Sequence, residues 1–74
     1  MENSEQVKEI LDELKEDLDY GLSPKVINAR LYALFIGVLH KKDMPIEEKR
    51  KAIENINEFR KSLGWKPYEL KQLL

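Results

Sequence analysis

The stretch 24-PKVINARLYALFIGVLH-40 decides the fold. Ser23, just before it, can cap a helix, and Pro24 suits the first helical position, where φ is preset and no backbone donor is lost. His40, Lys41 and Lys42 place positive charge at the far end, where it complements the carbonyl end of the dipole. Wound at 3.6 residues per turn, Ile27, Leu31, Leu34 and Val38 form one face, and Tyr32, Phe35, Ile36 and Leu39 form another. A helix apolar nearly all round is expected to be buried nearly all round. It is too short to cross a bilayer: Lys25, Asn28 and Arg30 leave only Leu31 to Leu39 uninterrupted, and a span needs roughly 20 residues.

One side of this helix is low. Ala29, Ala33 and Gly37 recur every four residues and make a ridge that another backbone could approach closely. A glycine inside a helix costs about 1 kcal/mol relative to alanine, so Gly37 calls for a packing reason. Two readings follow: contact with another helix of the same chain, or a symmetric helix pair in a homodimer. Arg30 lies beside the ridge and needs a carboxylate or carbonyl partner wherever it is covered.

Outward from this stretch, the first helix is expected over 4–19. Val7, Ile10, Leu11, Leu14 and Leu18 recur at three- and four-residue steps, Asn3 or Ser4 can cap it, and Gly21 is a left-handed stop. On the other side, Lys41–Pro45 is a connection short enough for antiparallel neighbours. Asp43 or Met44 falls in the cap region of a third helix that Pro45 opens. That helix carries Ile46, Ala52, Ile53, Ile56, Phe59 and Leu63, and Gly64 ends it. Trp65 is placed to fold back on its last turn. Pro67 then opens a short fourth helix whose Tyr68, Leu70, Leu73 and Leu74 dock on the bundle or on a partner. The fold expected is all-α, a small bundle of three main helices (4–19, 24–41 and 45–63) plus a short C-terminal helix, in a single domain over 1–74.

At 74 residues the chain has room for one modest core, and chains of this size need staples, partners or unusually good packing. Cysteine is absent and there is one histidine, so no disulfide framework or thiolate metal site is available, and no metal or cofactor is expected. The opening MENSEQVKE has neither the basic segment nor the apolar run of a secretory signal, and a cytoplasmic protein is the expectation. The net charge of −1 argues against a dedicated polyanion binder. It conceals an asymmetry, however. Through Tyr20 there are eight acidic residues against two lysines, and beyond it eleven basic residues against six acidic.

Catalysis has little to work with. The serines serve as caps or surface residues, His40 sits among lysines, and the three glycines are too dispersed to cradle phosphate. No enzyme activity is expected. The acidic face is better placed for function, because Glu16, Asp17 and Asp19 crowd the helix end where negative charge is disfavoured. Glu9, Asp12, Glu13 and Glu16 can dock a basic partner, or the face can simply be solvated or compensated within the fold. Trp65 and Tyr68 are aromatic anchors of the kind interfaces favour. The function expected is that of a non-enzymatic regulatory or adaptor protein, homodimeric through Ala29, Ala33 and Gly37. It would bind a protein partner through the acidic helix and the Trp65–Tyr68 patch, with no membrane partner. The alternative is nucleic-acid binding through the basic corner of Lys41, Lys42, Arg50 and Lys51. Against it, Glu47, Glu48, Glu54 and Glu58 interleave with the basic residues of the third helix.

Overall fold

A computed structural model describes residues 4–69 as three helices: α1 (Ser4–Asp19), α2 (Pro24–Leu39) and α3 (Ile46–Ser62). Four polar contacts fix their directions. The Ser4 backbone N–H donates to Glu48 at 3.3 Å, so α1 and α3 start at the same end. Asp17 pairs with Arg30 across α1 and α2, Arg60 reaches Asn28, and the Lys49 ammonium donates to the Leu39 carbonyl. α2 therefore runs antiparallel to both neighbours, an up-down-up bundle with short connections.

Local chemistry sets the boundaries. Ser23 Oγ accepts from the Lys25 N–H at 3.2 Å, with Pro24 opening α2. α1 and α3 stop in the same way. Gly21 (φ 102°) and Gly64 (φ 78°) are left-handed, and each is bracketed by a pair of closing bonds. Leu22 N–H reaches the Asp17 carbonyl and Gly21 N–H that of Leu18; Trp65 N–H reaches Arg60 and Gly64 N–H reaches Lys61. This is the Schellman arrangement, which satisfies carbonyls that the helix end would orphan. The start of α3 departs from expectation. Pro45 is itself the cap residue and no side chain caps the helix, while Met44, expected near the cap, is buried in the core.

The core takes Val7, Leu11 and Leu14 from α1, Ile27, Leu31, Phe35 and Val38 from α2, and Ala52, Ile53 and Ile56 from α3, with Met44 closing one end. The expectation of all-round burial for α2 is not met. Its second apolar face divides: Phe35 is buried and Ile36 and Leu39 pack partly against the core, while Tyr32 stays 55% exposed, as does Val26 on the outer side at 38%. The neighbouring elements surround only part of α2, so its outermost positions are left at the surface.

The chain after Gly64 also differs from expectation. Through Glu69 it is non-helical, so no helix starts at Pro67; Leu70, Leu73 and Leu74 of the expected fourth helix lie outside the described residues. The segment does dock on the bundle, as a strap across α2 and α3 that Tyr68 pins in place.

Candidate interaction surfaces

Four surfaces follow from this packing. The first is the outer side of α1. Val7, Leu11 and Leu14 face inward, and Glu9, Asp12, Glu13 and Glu16 are exposed on the opposite side. Of the α1 carboxylates, Asp17 is drawn aside, accepting from Arg30 at 3.2 Å with both side chains about half exposed. This is the partner that Arg30 called for. Exposed pairs of this kind contribute about 0.2–1 kcal/mol, enough to orient two helices and little more.

The second surface is the outer side of α2. Ala29, Ala33 and Gly37 are all exposed, and an added Cβ at Gly37 would meet nothing within 4 Å. The reading in which the ridge packs on another helix of the same chain is thereby overturned. The ridge faces solvent with Val26 alongside it, and it is bordered by the Asp17–Arg30 pair on one edge and Tyr32 on the other. Ile10, on the neighbouring α1, is 38% exposed as well.

The third surface is the strap. Tyr68 stacks on Phe35 with ring centroids 4.3 Å apart and planes 17° from parallel, and it meets Tyr32 edge-on at 6.2 Å. The Arg60 guanidinium covers its other side at 4.2 Å from the centroid and also lies 5.4 Å from the Trp65 ring. Arg60 donates to the Lys66 carbonyl at 2.6 Å, to Asn28 Oδ1 at 2.8 Å and to the Tyr68 hydroxyl at 3.1 Å. Burial raises the Tyr68 pKa, against a lowering by Arg60. Asn57 completes the clasp: its Nδ2 donates to the Tyr68 carbonyl at 2.9 Å and its Oδ1 accepts from the Tyr68 N–H at 2.7 Å. Trp65, partly buried, lines a groove of about 400 Å³ with Pro24, Lys25, Asn28, Arg60 and Lys66.

The fourth is the basic corner. Lys42, Arg50 and Lys51 are exposed and Lys41 is partly buried. Lys49, between them in sequence, turns inward to the end of α2. Glu47, Glu54 and Glu58 stand at helical spacing from Lys51 on the same outer face of α3, so acids break up the basic surface. Glu48 is held on the Ser4 N–H and hydroxyl, which lowers its pKa.

Asn57 and Arg60 were not singled out from sequence. The signal was present: Asn57 stands four residues after Ile53, a polar side chain on a core stripe, and a buried amide needs partners. Among the described residues no group of three side chains is arranged to hold a metal ion, and no helix is long and apolar enough to cross a membrane. Comparison with protein-family models, curated proteins and solved structures gives no match.

Proposed function

We propose that this chain is a non-enzymatic binding module of the cytoplasm, acting through protein–protein contacts. It pairs with a second copy through the outer side of α2 and offers the acidic side of α1 to a basic partner. The observation that carries the reading is the exposed ridge of Ala29, Ala33 and Gly37 with Val26 beside it. Contiguous apolar surface of this kind marks association. Gly37 weakens its own helix by about 1 kcal/mol and none of the described residues packs over it, which supports a use in contact with a second copy. A two-fold pairing would bring ridge against ridge, leaving the α1 carboxylates of both copies in solvent. The cysteine-free sequence suits a reducing compartment.

Light scattering over a range of concentrations tests the pairing. A mass near twice 8.8 kDa is expected for the native chain and a monomer for Ala33→Glu, with the helical circular dichroism of both alike. A native chain that stays monomeric at every concentration removes the dimer. For the acidic surface, reversing Glu9, Asp12, Glu13 and Glu16 to lysine is expected to release a captured basic partner without unfolding. Capture that survives the reversal would place the contact elsewhere.

A further inference from the structure

The strap is held the way a recognition site holds a peptide. Asn57, the one buried polar residue among those described, is 8% exposed, and it gives both halves of its amide to the backbone of a single residue. Such a clamp reads an extended chain whatever its sequence. Selectivity comes from beside it, where one aromatic ring fits between Phe35 and the Arg60 guanidinium and its hydroxyl accepts from Arg60. Pro67 fixes the approach in an extended form.

The occupant is also separable. It follows the left-handed Gly64, and none of its residues belongs to the fully buried core. Were it to swing away, the Asn57 amide would be left without its partners and the Phe35 face would be bared. The vacated slot would offer the same amide pair and the same ring face to a replacement of like chemistry.

We propose that this slot between α2 and α3 is a docking site for an extended, tyrosine-bearing segment of a partner protein, with residues 65–69 occupying it as a tethered competitor. The inference rests on the chain being a binding module and adds a second, gated site to it. A tether presents its own segment at about millimolar effective concentration, so a partner must out-compete the strap or meet it already released.

The test uses the acetylated, amidated peptide Lys-Pro-Tyr-Glu, the sequence of residues 66–69, labelled for anisotropy and titrated into the full chain. Removing the internal ring by Tyr68→Ala is expected to tighten peptide binding at least about tenfold. Replacing the peptide's tyrosine with alanine, or adding Asn57→Ala to the protein, should abolish that gain. A folded Tyr68→Ala chain that binds no better than the native one overturns the proposal. Should Tyr68→Ala unfold, the native chain decides alone through Trp65, its only tryptophan. Unlabelled peptide at several millimolar shifts the Trp65 emission if it displaces the strap, and an unmoved emission overturns the site. Light scattering separates the two readings, since a dimer that ignores the peptide loses only the slot, and a monomer that binds it loses only the pairing.

Discussion

Asn57 and Tyr68 hold the strap to α3 through two hydrogen bonds. Asn57→Ala leaves the Tyr68 N–H and carbonyl without their partners, and a loss of about 1–3 kcal/mol in urea unfolding is expected. Arg60→Lys is expected to loosen the strap too, since an ammonium cannot stack over two rings while donating in three directions. Tyr68 adds a pH dependence whose sign follows from its environment. Burial favours the neutral phenol, so the folded chain holds this proton more tightly than the unfolded chain, whose tyrosines titrate near 10.0. The strap's stabilisation is thus complete below that value and lost as pH rises through the higher folded one. An ultraviolet titration is expected to show a tyrosine ionising above 10.0, with Trp65 fluorescence changing at the same step. Tyr68→Phe should remove that step.

At the scale of the helices, the three glycines separate by conformation. Gly21 and Gly64 lie at φ 102° and 78°, so alanine at either is expected to cost about 1–2 kcal/mol. Gly37 is helical with open space about it, and Gly37→Ala should stabilise the protomer by about 0.5–1 kcal/mol. The same change thickens the ridge, so the protomer gains while the pairing loses; unfolding and light scattering on one variant read both. The helix limits were legible in sequence because their causes are local: Ser23 with Pro24, Gly21 and Gly64 each act within a few residues of themselves. The buried side of α2 was not fully legible, because Tyr32 and Phe35 belong to one apolar face and only the placement of the neighbouring elements buries the second and leaves the first exposed. The strap was misread for a related reason. Pro67 starts helices and extended segments alike, and what holds residues 65–69 out of a helix is Asn57, on another element. Of the candidate sites, the acidic positions were legible as an exposed set, whereas the slot depends on side chains that sequence spacing alone does not bring together.

For the whole molecule, eleven buried apolar residues among those described form the core, and the proposed pairing would add to its stability. If copies pair, the melting temperature of the native chain rises with protein concentration, while that of Ala33→Glu stays fixed; calorimetry at several concentrations distinguishes the two. The way α2 ends has a bearing on how the chain reaches this state. α1 and α3 carry their own stop signals, but α2 has no glycine there, and its Leu39 carbonyl is met by the ammonium of Lys49, ten residues on. The last turn of α2 is closed by the His40 N–H to Ile36 and the Lys41 N–H to Val38, and α3 adds a partner for the Leu39 carbonyl when it comes alongside. Closing a loop of this size takes about 10–100 ns, so the α2–α3 hairpin can form early and serve as the nucleus onto which α1 docks. Lys49→Met should then slow refolding more than it hastens unfolding, a φ-value well above one half in stopped-flow kinetics.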